Sequence, residues 1–241
     1  MDCALEVKNR VNWIKEILKN SNAKGIVYGN SGGKDCTLVG ILCKMATDNV
    51  TGIIMPCESS VNYGSDRDDA LCCANKFSIN TIELDLTEVK SAFRKMLQSE
   101  IGECVMAYAN INPRIRMTTL YAYAYKNSYL VAGTGNRSEI MMGYFTKWGD
   151  GAFDFNPTAD LTVTEVYEML RYLNAPTSII CKQPSAGLYE GQTDEKEMGI
   201  SYKVIDDYLL NGKASNDDKI KIEKAISRTE HKRRLGNVYK R

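Results

Sequence analysis

Histidine is almost missing from this chain: His231 is the only one in 241 residues, which makes a His-based zinc site or a Ser-His-Asp triad hard to build. Cysteine is present eight times but never as Cys-x-x-Cys, and a chain of this length does not need disulfide staples. The thiols therefore read as reduced, mostly core filler. Net charge is also lacking, since 31 Lys and Arg stand against 30 Asp and Glu for a formal +1. No global field is available to hold a nucleic acid or an acidic membrane, so any polyanion must be met locally. Uncharged stretches such as Tyr172–Cys181 reach 10 residues, about half of the roughly 20 apolar residues that a bilayer crossing needs. No membrane span is expected. The start, Met1-Asp2-Cys3-Ala4-Leu5-Glu6, has no basic stretch followed by an apolar run, so a cytoplasmic location is expected. The chemistry is left to phosphate binding, carboxylates and hard cations.

What is present is an alternation. Val7, Val11, Ile14 and Leu18 mark one apolar helix face, and Gly25-Ile26-Val27-Tyr28 reads as a short buried strand. It runs into Asn30-Ser31-Gly32-Gly33, after which Leu38, Ile41, Leu42 and Met45 resume helical spacing. Strands are predicted again at Val50–Met55, Thr81–Leu84 and Tyr129–Ala132, with helices through Asp69–Phe77, Val89–Leu97 and Arg114–Lys126 between them. Further helices are predicted near Thr164–Leu173, Ser201–Leu209 and Asp217–Arg228. This order predicts an α/β fold: a doubly wound, Rossmann-like parallel sheet with helices on both faces. One domain over 1–241 is expected, with a mobile lid near 183–200, where Gln183–Gly199 has three Gly, one Pro and few large apolar residues.

In such sheets ligands sit beyond the carboxyl ends of the strands. Two glycine-rich turns follow strands here: the one after Tyr28, and Gly133-Thr134-Gly135-Asn136 after Ala132. In Ser31-Gly32-Gly33-Lys34-Asp35-Cys36 the glycines let backbone approach a ligand, and the helix N-terminus behind them favours an anion. The common G-x-x-x-x-G-K-[ST] phosphate loop is excluded, because Tyr28 stands where its first Gly should be and Asp35 where its hydroxyl should be.

The six residues instead resemble the S-G-G-x-D-[ST] loop of the ATP pyrophosphatases, with Cys36 in place of the usual hydroxyl. The resemblance narrows to the ammonia-dependent NAD synthetases through Asn110–Met117, Gly133–Glu139, Gly143–Gly151, Pro184–Leu188 and Glu230–Arg234. It implies ATP contacts at Gly29, Asn30, Ser31, Gly32, Gly33, Lys34, Asp35, Cys36, Thr134 and Ser185. It implies magnesium on Asp35 and Glu139, which are also the catalytic pair, and deamido-NAD contacts at Arg114, Lys147, Asp154, His231 and Lys232. At Val163 the family usually carries a lysine that contacts ATP, and the departure leaves three readings: another cation, such as Lys34, compensates, or ATP binds more weakly, or the chain is a diverged relative with a related job. The implied reaction is ATP-dependent amidation of deamido-NAD by ammonia through an adenylate, giving NAD, AMP and pyrophosphate, in a homodimer. A glutamine-using version would need an additional amidohydrolase domain, for which 241 residues leave no room. Taken singly, each residue has a bland reading: Arg114 and Arg116 as a solvated helix face, Lys147 as a surface charge, Asp154 as a turn former. The basic end from Arg228 to Arg241 reads as a solvated tail or part of the substrate pocket, with no nucleic acid expected. Two rivals stand beside the family reading: an ATP pyrophosphatase with another acceptor, and a non-catalytic nucleotide sensor.

Overall fold

Short runs of β-branched and aromatic residues form the strands β1 (Gly25–Gly29), β2 (Val50–Ile54), β3 (Asn80–Glu83) and β4 (Tyr129–Val131). In this computed structural model, which describes residues 1–57, 64–183 and 193–239, they make one parallel sheet in the order β3-β2-β1-β4. β1 and β2 are buried on both faces, as parallel strands between helical layers must be. Alternation divides β1 between the two layers: Ile26 and Tyr28 enter one core, Val27 the other.

The helices of the first half are α1 (Cys3–Ser21), α2 (Lys34–Ala46), α3 (Ser65–Phe77), α4 (Thr87–Ile101), α5 (Val105–Ala109) and α6 (Ile111–Asn127). Those of the second half are α7 (Arg137–Met142), α8 (Val163–Tyr172), α9 (Thr177–Cys181), α10 (Asp194–Met198), α11 (Tyr202–Asn211) and α12 (Asn216–Arg228). One face of the sheet is covered by α1, α2, α3 and α8 through Val7, Ile14, Leu38, Leu42, Cys73 and Leu170; α6 covers the other through Ile115 and Ala124. A third cluster, with Met142, Val163, Ile205 and Ile222, packs α7, α8, α11 and α12 together. Asp206 staples this cluster: buried on α11, it accepts hydrogen bonds from Ser138 Oγ (2.5 Å), Thr164 N–H (2.8 Å) and Thr164 Oγ (2.6 Å).

The expected strands and longer helices are all present. Among the described residues, the short helices α5, α7, α9 and α10 and a 3-10 turn at Glu230–Lys232 were not read from sequence. Of these, α10 lies inside the stretch expected to be a lid. Residues 184–192, and with them Ser185 and most of that stretch, lie outside the described residues, but Asp194–Met198 is helical and Asp194 is buried beneath Tyr202, whose hydroxyl donates to it at 2.8 Å.

Chain order reverses beside β1. From β1 the chain steps to β2 and β3, then returns to place β4 on β1's other edge. The crevice at the carboxyl ends of β1 and β4 is therefore where this topology leaves room for a ligand.

Candidate active site

The first wall of that crevice is the turn after β1. Gly32 takes φ +71°, and a Cβ there would lie 2.0 Å from the Asp66 carbonyl oxygen on α3, so no other residue fits. Asn30, buried beside it, donates to the Ala70 carbonyl (3.3 Å) and accepts from the Gly32 N–H (3.4 Å), fixing the turn to α3. Gly33 is the N-cap of the 13-residue α2 and has no side chain to cap it, so the first turn of the helix turns its N–H groups toward the crevice. Cys36 is buried in that same first turn. Its thiol donates to the Gly33 carbonyl at 3.2 Å and contacts Ser31 Oγ at 3.4 Å, and burial pushes its pKa up. The thiol thus braces the turn from within.

The second wall follows β4. Asn136 caps α7 in a reciprocal box: its side chain accepts from the Glu139 N–H at 3.0 Å, and its own N–H donates to Glu139 Oε2 at 3.3 Å. The same Asn136 side chain donates to Asp35 Oδ1 at 3.0 Å, joining the two walls. Lys34 joins them again. Its ammonium lies 2.7 Å from Asp35 Oδ2 and 3.3 Å from Glu139 Oε1. Asp35 and Glu139, predicted from turns on different strands, thus converge on one cation.

Their electrostatics follow from this crowding. Burial, then the neighbouring Asp35 carboxylate, pushes Glu139 up to about 8, against which Lys34 acts more weakly. For Lys34, burial alone would lower the pKa, but Asp35 and Glu139 outweigh it and hold the ammonium above the usual lysine range. A cation that entered here would act with Lys34 on Glu139, favouring its ionised form and displacing the proton that burial and Asp35 keep on it. Among the described residues no group of three or more His, Cys, Asp and Glu side chains is arranged around a metal position. The hard oxygens of Asp35 and Glu139, facing one position, are the donor type that a magnesium ion would take.

Both walls open into a cavity of about 880 Å³, a volume suited to a nucleotide-sized ligand. Gly29, Asn30, Ser31, Gly33, Lys34, Asp35, Cys36, Thr134, Glu139 and Lys232 all line it. Lys232 donates to the Gly143 and Phe145 carbonyls, each at 2.8 Å, and so pins the 143–151 loop to the chain's end. The other expected deamido-NAD contacts lie off the lining. Arg114 is exposed on α6 and donates to the Lys147 carbonyl at 3.3 Å; Lys147 in turn donates to the His231 carbonyl. Arg114, Lys147 and His231 thus form a chain of contacts that ends next to Lys232. Asp154 stands apart from them: its carboxylate accepts from the Val131 N–H on β4 (2.8 Å) and the Tyr121 hydroxyl (3.2 Å).

Sequence reasoning gave no role to Asn136, although the Asn136-x-x-Glu139 cap was written in the chain, nor to Asp194 and Glu197, which also line the cavity. Val163, where a phosphate-contacting lysine was missed, is 4% exposed inside the third apolar cluster.

Comparison with known proteins agrees with this geometry. Residues 6–241 match the family described as NAD synthase. The chain is 46% identical over 231 residues to an NH(3)-dependent NAD(+) synthetase of Carboxydothermus hydrogenoformans, covering 95% of this chain and 94% of that one. It is 42% identical over 240 residues to the protein of the same name from Finegoldia magna, covering 99% and 97%. Among solved structures, an NMN synthetase from Francisella tularensis superposes with a TM-score of 0.94 at 35% identity over 99% of each chain. An NH3-dependent NAD synthetase from Campylobacter jejuni gives 0.82 at 29% over 100% of each.

Proposed function

This chain belongs to the NAD synthase family, and from that premise we propose that it amidates deamido-NAD with ammonia at the expense of ATP. The observation that carries the reading is the convergence of Asp35 and Glu139, from the turns after β1 and β4, beside an open helix N-terminus. In the first step the nicotinate carboxylate attacks the α phosphorus of ATP, and the bond to the bridging oxygen breaks as pyrophosphate leaves. Ammonia then adds to the acyl carbon, loses a proton and expels AMP. Neither step needs a protein nucleophile. The protein's work is to align the reactants and stabilise charge on the phosphates.

Ser31, Gly32 and Gly33 with the first turn of α2 would hold the leaving pyrophosphate, and Thr134 would contact the nucleotide from the other wall. Asp35 and Glu139 would hold magnesium, which supplies a positive charge for the phosphate oxygens when bound. Lys232, with Arg114, Lys147 and His231 beside it, would meet the anionic acceptor. No described helix is long and apolar enough to cross a membrane, and we place the enzyme in the cytoplasm. We also expect a homodimer. α4 buries none of its residues and exposes Val89, Phe93 and Met96 at helical spacing, an apolar face suited to a second copy.

One observation favours a second reading of the acceptor. The Francisella structure is named an NMN synthetase, and it superposes better than the Campylobacter NAD synthetase does. The same chemistry on nicotinate mononucleotide would yield NMN. A single experiment separates the readings: magnesium ATP and ammonium are supplied with deamido-NAD or with nicotinate mononucleotide, and NAD, NMN and AMP are quantified. Preferential NAD formation is expected. Preference for the mononucleotide establishes the second reading, and AMP formation with neither acceptor refutes both.

A further inference from the structure

Lys34 sits where the two carboxylates meet. The side chain of each offers one oxygen to Asn136, Asp35 Oδ1 at 3.0 Å and Glu139 Oε2 at 3.3 Å, and turns its other oxygen to the Lys34 ammonium, at 2.7 Å and 3.3 Å. The two oxygens that Asn136 leaves are therefore the ones that a divalent cation would require. Magnesium binds oxygen at roughly 2.0–2.1 Å, and an ammonium hydrogen-bonded to the same two atoms occupies that position. The two cations compete for these oxygens.

We propose that Lys34 is a built-in stand-in for the metal: its ammonium holds Asp35 and Glu139 together while the metal is absent, and yields the oxygens when a divalent cation enters. The proposal rests on the magnesium reading above. Three features support it. First, the ammonium faces the Tyr202 ring at 5.5 Å, so this part of its surroundings is the π-face that suits an organic cation rather than further hard oxygens. Second, Lys34 is the first residue of α2 and lines the cavity, so a displaced ammonium on a flexible four-carbon stem remains beside the helix N-terminus where an anion would sit. Third, Val163 is sealed in an apolar cluster and can deliver no charge to a phosphate. A Lys34 released from the carboxylates would supply the cation that the family resemblance leads one to expect at position 163. Metal entry and phosphate capture are thereby linked through one side chain.

The test is manganese binding to nucleotide-free protein, followed by electron paramagnetic resonance of the free ion, in the wild type, Lys34→Gln, Lys34→Met and Glu139→Gln. With no charge-assisted hydrogen bonds to break, both Lys34 variants are expected to bind Mn²⁺ about tenfold more tightly than the wild type. Their melting temperatures without metal should fall and recover on adding Mn²⁺, while affinity for a non-hydrolysable ATP analogue should weaken. The two neutral replacements differ in polarity, so misfolding of one leaves the other to decide. Mn²⁺ affinity that is unchanged or weaker in the Lys34 variants, but lost in Glu139→Gln, overturns the stand-in role and leaves the metal site intact. Mn²⁺ binding that does not depend on Glu139 in any protein overturns the metal reading itself.

Discussion

Asn136 is the most exacting place to perturb this site, because one buried amide serves a helix cap and an inter-loop bridge together. Replacing it by Ala removes the acceptor for the Glu139 N–H, a cap worth about 1 kcal/mol. It also removes the donor to Asp35 Oδ1; a hydrogen bond to a charged group is worth about 1.5–3 kcal/mol. Lys34 still satisfies the other Asp35 oxygen, so the two losses should sum to about 3 kcal/mol rather than more. For a chain of this size that corresponds to a fall of about 6–12 °C in melting temperature. Asn136→Ser separates the contributions, since a serine hydroxyl caps the helix but is too short to reach Asp35. Its loss should be about 2 kcal/mol. Urea unfolding of the three proteins in chelator measures both differences, and steady-state kinetics should find the magnesium requirement raised in both variants. An Asn136→Ala protein within 1 kcal/mol of wild type, or a serine variant no more stable than the alanine one, would refute the double role.

Other perturbations test the frame and the charge balance. Gly32→Ala must force a left-handed residue, costing about 1–2 kcal/mol, and collide with the Asp66 carbonyl, costing about 1–3 kcal/mol more; binding of a fluorescent ATP analogue should weaken at least tenfold. Asp206→Ala strips the acceptor from Ser138 and Thr164 in a buried site and should destabilise the protein by about 3 kcal/mol or more in thermal unfolding. Glu139, held up to about 8 in the folded chain, is protonated there at pH values where it ionises in the unfolded chain. Its contribution to stability is present at low pH and is lost as pH rises through about 8, so in chelator Glu139→Gln should show a flatter decline than wild type between pH 5 and pH 8. Magnesium must displace that proton, and affinity for the ion should climb over the same interval, with proton release visible by calorimetry in two buffers. Phe93→Glu combined with Met96→Glu on the exposed face of α4 should yield monomers in sedimentation experiments, with a melting temperature that no longer rises with protein concentration.

The strands were legible because a parallel sheet between two helical layers needs continuous apolar runs, and Ile26–Tyr28 or Val50–Ile54 can hardly be anything else. The long helices were legible from their apolar faces. The six-residue α7 and the five-residue α10 have too few turns to show a period, and only their caps betray them. Asp35 and Glu139 could be named from motifs, but their meeting could not be read from spacing: it depends on β4 lying against β1 rather than at the far edge of the sheet. Lys34 was the least legible. Next to glycines it imitates a phosphate-binding lysine, and only the folded chain turns its ammonium onto two carboxylates. Val163 was legible as a departure, whereas its burial among residues of α11 and α12 follows from packing that no local pattern encodes.

Asp35 and Asn136 are 101 positions apart in the chain, as are the β1 and β4 partners within a few residues. A nascent chain emerging from the ribosome can therefore form the first turn, its helix and the β1–β2–β3 part of the sheet long before the second carboxylate has been synthesised. Nucleotide capture should not begin before the polypeptide past Glu139 has cleared the exit tunnel. Truncated translation products should lack the Phe155, Leu161, Val166 and Leu170 side of the core and consume no ATP.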